Sequence, residues 1–162
     1  MAIGDFTILE QNSSNGGRGS RKCLVAAGAT AINAGEPVTR ALGAAVVTAS
    51  ATNTPVVATD FYAGIAQTAS TQTAAVAGTV DVTPINSGIT WLVAPKAPTS
   101  FDTQAEYDAL VGDRVLIDLT AGVYTVLATD GATNGLVIMP LDVAKYPGKV
   151  AVAFRAAVSD LA

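Results

Sequence analysis

Three groups of side chains in this chain have types and spacings that could do chemistry. Ser20 and Lys22 stand two apart and could form a serine–lysine nucleophile pair. The chain has no histidine, so the commonest neutral-pH base and the commonest metal ligand are both missing. It also has no G-x-S-x-G elbow, and two neighbours in a glycine-rich stretch are better read as solvated. Asp102, Glu106, Asp108 and Asp113 could flank a groove as a glycosidase pair. Asp102 and Glu106 are better accounted for by the positive end of a helix, which needs no substrate. Asp130-Gly131-Ala132-Thr133-Asn134-Gly135 shares part of a calcium-loop pattern. It lacks the D-x-D-x-D-G spacing and the distant bidentate glutamate, so a plain hairpin is the better reading. Cys23 is the single cysteine, which excludes an internal disulfide and a thiolate metal cluster. The expectation is a protein that is not an enzyme and takes no cofactor and no metal.

The stretch Gly16-Gly17-Arg18-Gly19-Ser20-Arg21-Lys22 holds three of the nine basic residues. It is no P-loop, because the Gly-Lys-Ser/Thr end is absent. Glycine is costly to order, so with the polar run before it this reads as a mobile arm or long loop. It could touch a phosphate or an acidic protein surface, or serve only as a flexible terminus. Asn12-Ser13-Ser14 matches a glycosylation sequon, but MAIGDFTILE has neither the basic start nor the long apolar run of a secretion signal. The chain is expected to be made in a cytoplasm, with no address of its own.

The totals narrow the partners. The 162 residues suit one domain. They are 50% hydrophobic but only 6% aromatic, and 14% charged, with a formal net charge of −4. Binding nucleic acid requires neutralising phosphates with lysine and arginine, so an acidic body is a poor candidate. It has no electrostatic reason to sit on anionic lipid, and no run of about 18 apolar residues suggests a membrane helix. A surface this poor in charge is either hydroxyl- and amide-rich or partly covered by something else. Small apolar side chains suit thin strand layers rather than a thick aromatic core.

The elements that must position these residues are mostly strands. Lys22 to Ala27, Pro37 to Leu42 (with Ala44 to Thr48 continuing it), Phe61 to Thr68, Gly88 to Val93, Arg114 to Leu119, Val123 to Ala128 and Leu136 to Met139 read as strands between turns. Val76, Val80 and Val82 share one parity, and Val150 to Val158 alternates throughout. Gly64 inside its strand predicts a bulge or a close backbone approach. Thr103-Gln104-Ala105-Glu106 fits a capping box, with Tyr107, Leu110 and Val111 at helical spacing and Gly112 as the stop. Cys23 and Trp91 are expected in the core. The result is a mainly β sandwich or barrel with one short helix.

Arg21-Lys22-Cys23-Leu24-Val25, Ala34-Gly35-Glu36-Pro37-Val38, Tyr62-Ala63-Gly64-Ile65-Ala66-Gln67-Thr68, the Val76 to Val82 strand, Val111-Gly112-Asp113-Arg114-Val115 and Val150-Ala151-Val152-Ala153-Phe154 follow in an order that resembles the small capsid decoration, or cement, proteins of tailed bacteriophages. The resemblance covers most of Arg21 to Val158. The stretch from Ala44 to Thr59 and the helix near Thr103 depart from the family's short forms. The resemblance implies an extended arm over residues 1–22 and a β-tulip-like barrel or sandwich over 23–162. It implies a structural virion protein on the outer face of a capsid, made in the host cytoplasm. Its partners would be the major capsid protein and sister copies in a homotrimer. Ile3, Phe6, Ile8, Gln11, Asn12, Arg18, Arg21 and Lys22 would make the contacts. Two other readings remain. One is a pilus, spike or tail subunit with an exposed edge strand. The other is a carbohydrate-binding or glycan-cleaving sandwich using Trp91, Tyr107 and the acids.

Overall fold

The computed structural model of the chain describes residues 6–11, 20–41, 43–51, 53–57, 61–85 and 89–158. Short apolar runs between turn residues form eleven strands among them. These are β1 (Thr7–Gln11), β2 (Arg21–Val25), β3 (Pro37–Arg40), β4 (Thr48–Ala49), β5 (Phe61–Ala66), β6 (Gly78–Thr83), β7 (Ile89–Val93), β8 (Arg114–Thr120), β9 (Val123–Leu127), β10 (Leu136–Ile138) and β11 (Val150–Phe154). Helix α1 (Gln104–Leu110) lies between β7 and β8. The strands make two antiparallel sheets, ordered β1-β7-β11-β10-β8-β9 and β2-β6-β5-β3-β4, so the fold is mainly β.

Both sheets curl back on themselves: the five-stranded sheet joins its two end strands, and in the six-stranded sheet β9 meets the chain leaving β7, with β1 outside the seam. Just before β4, Val46 forms a parallel bridge with Leu24 of β2, and Val47 N–H donates to the Leu24 carbonyl at 2.8 Å. Just after β7, Pro95 bridges Val126 of β9; Lys96 N–H donates to the Val126 carbonyl and Val126 N–H to that of Ala94, both at 2.9 Å. Lys96 Nζ also meets the buried Asp118 Oδ1 at 2.7 Å across this second seam. Closure satisfies backbone groups that an open edge would leave unpaired.

Each sheet encloses its own core. The core of the five-stranded sheet, the first lobe, holds Cys23, Val25, Ile32, Val38, Val47, Ala63, Ala66, Val80 and Val82, with no aromatic ring. The second gathers Phe6, Tyr62, Trp91, Phe101, Tyr107, Tyr124 and Phe154 among Val, Ile and Leu. The thin layers expected from composition therefore describe one lobe, while the few aromatic residues are concentrated in the other.

β5 is the wall between the cores. Opposite β3, Val38 pairs with Gly64 and Thr39 with Tyr62, so Ala63 is an extra residue. That bulge shifts the side-chain parity. A Cβ on Gly64, at φ +149°, would lie 2.0 Å from the Thr83 carbonyl oxygen. The glycine is required by this close approach, as its position in the strand predicts.

α1 has the full capping box. Thr103 Oγ1 accepts from Glu106 N–H, and the Glu106 carboxylate accepts from Thr103 N–H. Tyr107 fixes the helix to the six-stranded sheet, its hydroxyl donating to the Met139 carbonyl and accepting from Ala151 N–H, both at 2.9 Å.

Several expected boundaries differ. Residues 1–22 were expected to form one arm, but Thr7–Gln11 is a strand hydrogen-bonded to β7, and Arg21 and Lys22 open β2. Ala44 to Thr48 does not extend β3; the chain turns at Gly43, φ +77°, and returns as β4 antiparallel to it. β11 stops at Phe154, and Ala156–Val158 form a 3-10 turn. Val76 lies outside β6.

Candidate interaction surface

Charge is unevenly placed along the chain, and the fold makes this a difference between lobes. From Cys23 to Val80 the only charged residues are Glu36, Arg40 and Asp60. This span supplies most of the first lobe, whereas α1 and its neighbours in the second carry Asp102, Glu106, Asp108 and Asp113, all at least partly exposed.

The first lobe, whose charged residues among those described are Arg21, Lys22, Glu36, Arg40 and Asp81, presents a braced hairpin tip free of charge. Past β5 the chain keeps running along β6, with Gln67 N–H donating to the Asp81 carbonyl at 2.7 Å and Thr71 N–H to that of Thr79 at 3.0 Å. It reverses at Thr73 to Val76, where Thr73 N–H donates to the Val76 carbonyl and Val76 N–H to Thr73 Oγ1. Gly28 N–H reaches the Thr73 carbonyl, and Gln72 Nε2 donates to the carbonyls of Ala29 and Thr30. These bonds hold Val76 out at the apex, 63% exposed, while Leu24 on β2 is 53% exposed. Around them lie threonine and alanine, side chains that shed water cheaply compared with lysine or glutamate.

A groove of about 500 Å³ opens between the lobes, where residues 29–36 and 48–51 face Leu119, Gly122 and Tyr124. Glu36, 8% exposed, lies on its lining. Asn33 N–H donates to Glu36 Oε2 and Asn33 Nδ2 to Oε1, both at 2.9 Å. Behind it, Tyr124 donates to the Ser50 carbonyl at 2.9 Å, and the Ser50, Thr54 and Tyr62 hydroxyls bond to one another. Burial, aided by the Glu36 charge, pushes the Tyr124 hydroxyl pKa far above its ordinary value.

Of the residues expected to contact a partner, Ile3, Asn12 and Arg18 lie outside the described residues. Ile8 and Gln11 are in β1, opposite Trp91 and Ile89. Phe6 is buried, its ring 6.0 Å from that of Phe154. Arg21 Nη2 donates to the Ala63 carbonyl at 3.4 Å, and Lys22 is exposed opposite Asp81. Of these eight, Lys22 is the one whose described side chain is exposed; Leu24, Val76 and Glu36 lie outside the expected set.

The candidate catalytic groups have other occupations. Glu106 closes the capping box, and Asp108 Oδ1 accepts from Gln104 Nε2 at 2.7 Å. Asp130 accepts from Arg114 N–H at 2.8 Å, and these bonds with the guanidinium hold its carboxyl below the usual range. Asn134 Nδ2 ties the same loop to the Arg114 and Thr129 carbonyls. Among the described residues no three acidic, histidine or cysteine side chains converge on a metal position, and no helix is long and apolar enough to cross a membrane. Trp91 and Tyr107 are buried, so neither offers a ring to a sugar. Cys23 and Trp91 are core residues, as expected. A comparison of the chain with protein-family models, curated proteins and solved structures finds no match.

Proposed function

We propose that this chain is a structural virion protein that decorates the outer face of a phage capsid and stabilises contacts between major capsid protein subunits. The observation that carries this reading is the sparsely charged first lobe, where Leu24, two residues from the Lys22–Asp81 pair, and the braced Val76 tip are held towards solvent. Such a surface can be desolvated against a pre-existing protein lattice with few charges to strand. Many copies on a lattice multiply a modest contact. The net charge of −4 favours the outside of the shell over its DNA-lined interior. Self-association as a trimer fits the same role, by analogy with the resembled family.

The test is co-sedimentation with undecorated heads. Leu24→Lys and Val76→Glu place charges on exposed positions that the core does not use. The double variant should keep its melting temperature and bind heads at least tenfold more weakly, a loss of about 1.4 kcal/mol. Equal binding by the variant, or no binding by the unaltered protein, overturns the reading.

A further inference from the structure

Glu36 is a buried carboxylate that finds no counter-charge among the described residues. Its two hydrogen bonds both come from Asn33, within one tight turn. It makes no ion pair among the described residues; the pairs there are Lys96–Asp118 and Arg114–Asp130. A carboxylate can accept at about four positions, so about half of its capacity is unused. Burial of a carboxylate is offset where a cationic group or further donors reach its free acceptor positions. This one lies on a groove wide enough for a side chain, rather than in a sealed interior.

The walls complete the description. Ala29, Ala31, Ala49, Ala51 and Leu119 make an apolar sleeve beside the carboxylate. The Tyr124 hydroxyl, on the far wall, is already engaged by the Ser50 carbonyl. A fitting occupant therefore has an aliphatic stem for the alanines and a single cationic head for Glu36. An anion would be repelled, and a neutral apolar chain would cover the carboxylate without balancing it.

We infer that this groove takes a lysine or arginine side chain of the protein on which the chain docks. Position supports this source over a free amine. Ala29 and Thr30, on the groove wall, also receive the Gln72 bonds that brace the Val76 tip. The groove thus adjoins the sparsely charged face that carries the Val76 tip, and a partner seated there would cover its mouth. The identity of the donor as a shell protein rests on the function proposed above; the chemistry of the groove does not.

The test uses the full chain labelled with nitrogen-15 and two probes, N-acetyl-lysine N-methylamide and its norleucine counterpart. The lysine probe should give saturable shifts at the Asn33 and Gly122 amides, and the norleucine probe should bind at least tenfold more weakly. Glu36→Gln should abolish the difference. Its amide oxygen can keep one Asn33 bond, and if the variant does not fold, the two probes on the unaltered protein decide alone. Equal responses to both probes, or an unchanged lysine response in a folded Glu36→Gln, overturn the inference. Heads that bind a protein blind to lysine would overturn it while leaving the decoration role standing. A lysine response from a protein that ignores heads would support the groove and overturn the decoration role.

Discussion

Tyr62 and Ile65, three residues apart on β5, pack into the same aromatic core, while Ala63 and Ala66 both face the small-residue core. In a regular strand, residues three apart face opposite sides. The bulge at Ala63–Gly64 reverses the parity once, so a single strand lines both lobes.

Gly64→Ala should therefore damage both lobes together. The new methyl would meet the Thr83 carbonyl oxygen at 2.0 Å and Val82 Cγ1 at 2.6 Å, at a backbone angle alanine rarely adopts. A loss of about 3 kcal/mol or more is expected from overpacking plus backbone strain. Denaturant unfolding followed by fluorescence and by circular dichroism should still give one coincident transition, shifted to lower denaturant. Two separated transitions would show that the lobes are held independently.

Phe6→Ala should destabilise the body by about 3 kcal/mol, the usual range for emptying a buried aromatic position. Phe6 packs on Phe154 beside β1. A denaturation midpoint unchanged from that of the unaltered protein would restore the picture of a detached arm.

Thr103→Ala removes one half of the capping box on α1. The expected cost is about 1 kcal/mol, seen as a fall of about 3 °C in melting temperature for a chain of this size. Glu106→Gln, which keeps an acceptor at the same place, should cost less.

Stability should decline in strong alkali. Burial, together with the neighbouring Asp108 charge, pushes Tyr107 up to about 12, and burial with the Glu36 charge raises Tyr124 further. In the unfolded chain both ionise near 10. Folding thus holds these protons more tightly, and its full benefit is present below pH 10. It is lost as pH rises through 10 towards 12 and beyond. Denaturant midpoints measured at pH 8, 10, 11 and 12 should fall over the last three. Tyr107→Phe should start lower, because it loses the bonds to Met139 and Ala151, and then fall less steeply.

Local chemistry made some of this fold readable from sequence. Thr103, Glu106 and Gly112 mark a helix through contacts spanning a few residues, and they form it. Gly64 signalled its close approach for the same reason. β1 was not recognised, because its partner β7 lies some eighty positions along the chain. Val150 to Val158 alternates like a long strand, yet β11 is buried on both faces and ends where Arg155 turns to donate to the Ala132 and Asn134 carbonyls. Val76 shares the parity of Val80 and Val82, but it sits in the Thr73–Val76 reversal, before β6 begins. Glu36 was legible only as a turn residue. Its sparsely charged neighbourhood was a signal, but the groove that gives it meaning is assembled from segments about ninety positions apart.

The two seams at Leu24–Val46 and Val126–Pro95 also bear on how the molecule behaves when packed densely beside its copies. Strands with hydrogen-bonding capacity to spare recruit their like, and crowding accelerates the growth of ordered aggregates. By spending part of that capacity within the chain, the seams allow a sparsely charged protein to accumulate at high local concentration with less risk of polymerising through its sheets.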